Sequence, residues 1–205
     1  MLEYGKKIKG RGNTMRIEKI ETHILSTPLT EPFSFSQGWV HQRAAMIVEI
    51  ITDTGITGWG ECVIHGLQPP QVPASIVEYA LKPILIHKDP LDHEVLWETM
   101  YNHTRPYGQK GATMFAISAV DIALWDIKGK VLNQPVYKLL GGSFRKEIQP
   151  YATGFYRKKN GQYPNDVVKE ALSHLENGFK AMKIKTGFGI DQDIRDIRAV
   201  RQEVG

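Results

Sequence analysis

Cysteine is almost missing from this chain. Cys62 is the only one in 205 residues, so no intrachain disulfide framework is available, and the chain suits a reducing compartment; a cytoplasmic location is expected. A lone thiol is either a nucleophile or a small buried residue. No base is implied near Cys62, which closes a predicted strand, and burial is the expected reading. Long apolar runs are missing as well. None approaches the roughly 18 residues of a membrane span, so no membrane partner is expected. There is no P-loop, no dinucleotide-binding glycine fingerprint, no internal repeat and no low-complexity segment; Gly187-Phe188-Gly189 is too short a fragment to count. A basic surface is lacking too. Lys6, Lys7, Lys9 and Arg11 against Glu3 place three of the four net positive charges in the first fourteen residues. What remains is too nearly neutral to argue for nucleic acid.

What is present is ordinary globular composition, with 41% hydrophobic and 23% charged residues, enough for one or two domains. Residues 1–14 have no apolar signal core and are expected to be a disordered basic tail. Ordered structure should begin near Met15. Ile17–Leu25 reads as a strand ended by Pro28 and Pro32, followed by a loop from Thr27 to about Gln42. Ala45–Thr52 and Ile56–Glu61 read as two more strands around an Asp53-Thr54-Gly55 turn, giving a three-stranded antiparallel meander. Helices are expected over Ser75–Leu85, from Asp89-Pro90 to Tyr101, over Thr113–Val131, and from Pro135 to Gly141. From Lys146 the pattern changes to strand (Ile148–Thr153), helix (Pro164–Asn177), strand (Phe179–Thr186) and helix. Asp191 is expected to cap the last helix, with Ile194, Ile197, Val200 and Val204 inward. Alternation of this kind marks βαβ units and a parallel sheet. The expected domains are therefore 1–14, 15–145 and 146–205.

Two stretches carry chemistry. In Lys183-Ile184-Lys185 the lysines share one strand face. On a covered face two ammonium groups are costly unless used; on an open face they are two solvated lysines. The helix around Ala116–Lys130 is apolar nearly all round, so Asp121 and Asp126 need partners such as Lys, Arg or backbone N–H groups, and read as structural acids. Arg157, Lys158 and Lys159 read as a solvated charge run.

These stretches also carry a resemblance. Ala116, Ser118-Ala119-Val120-Asp121, Ala123-Leu124, Asp126-Ile127, Gly129-Lys130, Pro135-Val136 and Leu139-Leu140-Gly141 resemble the signature of the mandelate racemase/muconate lactonizing group of the enolase superfamily. Gly58-Trp59-Gly60-Glu61 and Lys183-Ile184-Lys185 fall where that group has its own motifs. Tyr151-Ala152-Thr153-Gly154 and the Lys183–Gly189 segment are most similar to galactarolactone cycloisomerases. The resemblance runs from Met15 to Gly205.

The resemblance implies an α+β capping domain, a meander plus a helical bundle, followed by the first two βα units of a TIM-like (β/α)₇β barrel. It implies removal of the proton next to a substrate carboxylate, with the enolate stabilised by Mg²⁺. By the family match Lys185 is the base, with Lys183 as the neighbouring like charge that favours its neutral form. Phe35, Trp39, His41 and His65, on loops of the capping domain, are the candidate substrate-shaping residues. The substrate class implied is an acid sugar or its lactone, and the full-length family enzyme is expected to be a homo-oligomer. The family's metal ligands come from the third to fifth barrel strands. Glu61, Asp121 and Asp126 do not match them, and no metal ligand is assigned. The chain is therefore expected to be a truncated enzyme, cut after the second barrel βα unit and inactive alone; the alternative is a non-catalytic binding or oligomerisation fragment.

Overall fold

In the computed structural model of the protein, residues 15–64 and 66–205 are described. The basic tail at residues 1–14 and the candidate His65 lie outside them. The described chain divides into two units: residues 15–25, 45–64 and 70–142, and residues 26–44, 66–69 and 143–205.

The first unit is built on an antiparallel sheet. β1 (Ile17–Phe35), β2 (Gly38–Thr52) and β3 (Thr57–Cys62) lie in the order β3-β2-β1. Met46, Val48 and Ile50 alternate into the core from β2, while Glu49 and its partner Trp59 turn to the other face. Gly55, at φ +81, closes the turn to β3 by donating its N–H to the Thr52 carbonyl at 2.9 Å. Two expectations fail here. The strand does not end at Leu25, and residues 27–42 are not a loop, because β1 and β2 continue through them as one long hairpin. Pro28 and Pro32 stand four residues apart and address the same strand edge. Proline is tolerated where its missing donor faces an unpaired edge. The outer edge of β1 has such room between Ile17, which bonds the backbone of His87 and Lys88, and Phe33 and Ser34, which pair with β5.

Helices cover one face of this sheet. α1 (Gln71–Ile76) runs through a π-helical turn, Val77–Leu81, into α2 (Lys82–Leu85). The wide turn precedes Pro83, whose ring would otherwise crowd the preceding helical carbonyl. α3 is His93–His103, starting later than expected because Asp89 accepts the Leu91 N–H at 2.9 Å and holds a turn instead. α4 (Ala112–Leu132) is the long central helix, and α5 (Val136–Leu139) follows it. Ile17, Ile20, Leu81, Leu85, Met100, Ile117, Leu124 and Ile127 form the core between sheet and helices.

Gly58 and Gly60 explain how β3 and α4 meet. A β-carbon on either would overlap a backbone carbonyl of α4, that of Ala123 or Ala119. The helix contributes alanines at the same places, so backbone packs on backbone. The acids of α4 are half-buried and find partners. Asp126 accepts from Lys130 Nζ at 2.7 Å and from the Trp59 N–H at 2.9 Å. Asp121 instead pairs with His93 Nε2 at 2.6 Å, beside the Trp125 ring. Burial and the nearby Glu94 push the Asp121 carboxyl up to about 6. Burial and Lys128 push the His93 imidazole down. Cys62 is buried as expected, and burial raises its thiol to about 11, which leaves it inert at neutral pH.

The second unit holds the tip of the β1–β2 hairpin together with β4 (Ala152–Thr153), β5 (Arg157–Lys158), α6 (Asn165–Glu176), β6 (Met182–Lys183) and α7 (Ile190–Val204). β4 and β6 pair in parallel through α6, the expected βαβ unit, but each strand is two residues long, shorter than its apolar run. β5 adds antiparallel to β1 at Phe33 and Ser34, making the sheet four-stranded rather than three-stranded. Phe155, Val167, Ala171 and Val200 form a small core, with Met182 and Ile184 against it.

Two expectations for this unit are corrected. Arg157 is not solvated. It is buried, hydrogen-bonded through Nη2 to buried Asp196, and lies against the rings of Tyr163 and Phe188 at 3.8 and 4.3 Å. The pair turns α7: Asp196 and Val200 face inward, while Ile194 and Ile197 are exposed. Apolar periodicity offered two neighbouring stripes on α7, and the buried charge selected one. The expected cap of α7 is also absent: the N-cap position is Gly189, with no side-chain cap bond, and Asp193 in the first turn instead accepts the N–H groups of Gly187 and Phe188 in the preceding loop, at 2.7 and 3.2 Å.

Three outcomes test this account. Gly60→Ala should lose about 2 kcal/mol or more in urea unfolding, since strand and helix must separate, whereas Gly55→Asn, at an open turn that tolerates asparagine, should lose less than about 1 kcal/mol. Asp196→Asn leaves a buried guanidinium without its carboxylate and should cost about 3 kcal/mol, more than the double replacement Arg157→Met with Asp196→Leu. The third outcome concerns pH. Asp121's folded value is raised, so its contribution is present below its unfolded value and lost as pH rises through about 6. His93's is lowered, so its contribution is present above its unfolded value and lost as pH falls. The two oppose each other between pH 7 and 5. Asp121→Asn removes one of them, and thermal melts of that variant should fall more steeply with acid than those of the parent.

Candidate active site

The lysine strand is oriented by its apolar neighbours. Met182 and Ile184 pack on the second unit's core, so Lys183 and Lys185 turn to the opposite side. β6 runs parallel to β4, with Thr153 beside Lys183; Lys183 ends β6 and Lys185 lies two residues beyond it. In parallel α/β sheets the C-terminal end of a strand is where ligands bind. The expected covered face is absent among the described residues. Lys183 and Thr153 are exposed and Lys185 is half-buried, because this sheet has two strands and its lysine face carries no layer. The cost of burying two charges therefore does not arise in this structure.

Lys185 nevertheless has a defined neighbour. Its Nζ lies 5.2 Å from the centre of the Tyr156 ring, within cation–π range. Tyr156 reaches it through an unusual turn. After β4 the chain passes Gly154 and then Phe155, which holds φ +62 although it is a bulky residue. The Phe155 N–H donates to Glu170 Oε1 at 2.8 Å, and its ring is buried with its edge toward His174. Gly154 leaves the space that the Glu170 carboxylate occupies.

The hairpin tip completes the surroundings. Phe33 packs on Tyr156 with centroids 4.4 Å apart, and the Arg43 guanidinium covers Phe33 at 4.7 Å. The Arg43–Phe33 contact puts the odd-numbered residues of both strand ends on one face, which includes Phe35, Trp39 and His41. Trp39 and His41 are exposed and Phe35 is half-buried. These three candidates thus sit on β-strands around a tight turn rather than on a loop. Ser36 of that turn abuts Gly187, just beyond Lys185. An open cavity of about 560 Å³ runs beside Phe33, Arg43, Tyr156, Tyr163, Lys158 and Glu170; its lining carries both charge signs and does not include the lysine pair.

Tyr156, Phe33 and Arg43 were not singled out by sequence. The only local signal was Gly154, a residue that permits close approach where a strand ends. Among the described residues one group has metal-ligand spacing, Glu21, His23 and Glu49, whose ligand atoms lie within 4.8 Å of one another. It belongs to the first unit, is partly exposed and already pairs internally, His23 with Glu49 at 2.9 Å and Glu21 with Lys19 at 2.7 Å.

The chain is similar to several known proteins. The chain is 40% identical over 191 residues to D-galactarolactone cycloisomerase of Agrobacterium fabrum, covering 93% of this chain and 49% of that protein. It is 38% identical over 168 residues to arabinonate dehydratase of Saccharolobus solfataricus, covering 80% and 43%. Its structure matches L-talarate/galactarate dehydratase of Salmonella typhimurium, solved with Mg and L-lyxarohydroxamate, at a TM-score of 0.82 and 27% identity, covering 100% of this chain and 53% of that one. The chain thus spans about half the length of these relatives. Residues 19–141 match the family model of the mandelate racemase / muconate lactonizing enzyme N-terminal domain. The antiparallel sheet and the glycine-packed helix fall in the matched region: the chain belongs to the mandelate racemase/muconate lactonizing enzyme family of the enolase superfamily.

Proposed function

We propose that this chain supplies the N-terminal domain and the base of an enzyme that removes the proton α to the carboxylate of an acid sugar or sugar lactone, in a cycloisomerisation or dehydration. The observation that supports the reading is that Met182 and Ile184 pack on the second unit's core, with Lys183 at the end of β6 and Lys185 two residues beyond it alternating with them. Relatives that act on acid sugars and their lactones support the substrate class.

In this reading Lys185, as the neutral amine, takes the proton. The substrate C–H bond breaks, its electron pair remains on the substrate as an enolate, and an N–H bond forms on Lys185, which becomes an ammonium. Lys183, exposed two residues before it, attracts the substrate carboxylate. Phe35, Trp39 and His41, on the shared hairpin face, shape the substrate's surroundings. Collapse of the enolate by loss of a β-oxygen gives dehydration, and protonation on another face or position gives isomerisation.

Mg²⁺ supplies charge stabilisation to an enolate where an enzyme holds it. It is held by hard oxygen ligands, carboxylates above all. The ends of β4 and β6 offer Thr153, Lys183 and Lys185. That set does not fit the ion, and no ligand or step of this chain is assigned through it.

The test is solvent deuterium exchange at the α-carbon, followed by proton NMR with Mg²⁺ present, on D-galactarolactone, galactarate and related acid sugars. The protein is the whole polypeptide that its gene encodes. Exchange is expected with at least one substrate, and Lys185→Ala should slow it about a thousandfold, the scale of a lost general base. Full exchange in Lys185→Ala would overturn the assignment of the base. No exchange with any acid sugar would leave the domain as a non-catalytic binding or oligomerisation module.

A further inference from the structure

Lys185 is held by a ring that the proposed reaction has not yet used. Among the described residues no carboxylate lies within ion-pairing distance of its Nζ, and the Tyr156 face at 5.2 Å is the partner the structure gives it. That face is not an accident of a flexible side chain. Tyr156 directly follows Phe155, whose left-handed backbone is uncommon for a bulky residue. The strained turn is secured on both sides: the Phe155 N–H by Glu170, and the Phe155 ring by burial against His174. Backbone strain of this kind persists only where surrounding contacts enforce it, and it clusters at functional sites. Tyr156 also packs on Phe33, with centroids 4.4 Å apart, and Phe33 is itself covered by Arg43. The ring is therefore fixed by its backbone turn and by the hairpin tip.

We propose that Tyr156 is a positioning residue for Lys185, its ring holding the lysine's ammonium form just beyond the C-terminal end of β6. The inference rests on Lys185 being the base. A cation–π contact attracts the charged lysine and not the neutral amine. Before proton abstraction the neutral amine is released toward the substrate. After abstraction the new ammonium is drawn to the ring, away from the enolate it has just made. The ring thus favours forward transfer and separates the proton from the carbanion. A phenol hydroxyl plays no part in this, so phenylalanine at position 156 should serve and an aliphatic residue should not.

The experiment has two arms. In the 205-residue chain, lysines are reductively methylated with ¹³C-formaldehyde, which keeps their charge, and the Lys185 signal is assigned by its loss in Lys185→Arg. It is expected upfield of the other lysines through the Tyr156 ring current. Tyr156→Leu should return it to the position of a free lysine, and Tyr156→Phe should keep it shifted. A Lys185 signal that is unshifted in the parent, or that Tyr156→Leu leaves in place, overturns the proposal. In the second arm, α-proton exchange by the whole encoded polypeptide is compared across the same variants. Tyr156→Leu should lower kcat about tenfold with KM little changed, the scale of a modest misplacement of a reacting group, and Tyr156→Phe should restore most of the rate. A Tyr156→Leu loss confined to KM, or one that phenylalanine does not restore, also overturns it. Failure of Lys185 as the base appears separately, as exchange that survives Lys185→Ala while the NMR signature of Tyr156 stands.

Discussion

Two missing β-carbons set the geometry of the first unit. Gly58 and Gly60 let β3 lie directly on the backbone of α4, against Ala119 and Ala123. Everything else in that unit follows from how close this contact is. It brings the Asp126 carboxylate to the Trp59 N–H and Lys130 to the Thr57 carbonyl, so that the polar margins of the contact are hydrogen-bonded. It also lets one sheet face and a nearly all-apolar helix share a dense core, where burying each aliphatic side chain contributes about 2 kcal/mol. The Ala-rich composition of α4 is the counterpart of the glycines on the strand.

The second unit depends on a different device. Its core is small, four buried apolar residues with a few half-buried neighbours. A buried Arg157–Asp196 pair, sandwiched by Tyr163 and Phe188, fills the place of further aliphatic packing. A buried pair of this type adds little net stability but demands a particular arrangement, because each partner is costly without the other. Here the arrangement includes the roll of α7 and, through the Asp193 carboxylate, the loop that follows the lysine strand.

The lysine pair connects fold to chemistry. Met182 and Ile184 bind the strand to its core, and that alone aims Lys183 and Lys185 the other way. Parallel pairing with β4 places their strand ends where this class of sheet presents its ligands. The turn at Phe155 then sets an aromatic face against one lysine and leaves the other exposed. Two chemically identical side chains thus have different surroundings.

Much of this was legible from residue order. The period-2 pattern of β2 and β3, the long apolar run of α4, the Gly58/Gly60 spacing and the shared face of the lysines are local properties, and local sterics and alternation suffice to read them. So is the family signature, since it lies on two successive helices and two short strands. What the sequence could not decide were matters of partnership. Whether Pro28 and Pro32 end a strand depends on whether their edge is paired. Whether Arg157 is solvated depends on Asp196, 39 residues away. Which of two apolar stripes on α7 faces inward depends on that same charge, and whether the lysine face is covered depends on how many strands the sheet holds. A burial pattern records which side of an element is apolar. The identity of what lies against it arises only when distant segments meet, and that is why Tyr156, beside Lys185 but 29 residues before it, came from the tertiary structure alone.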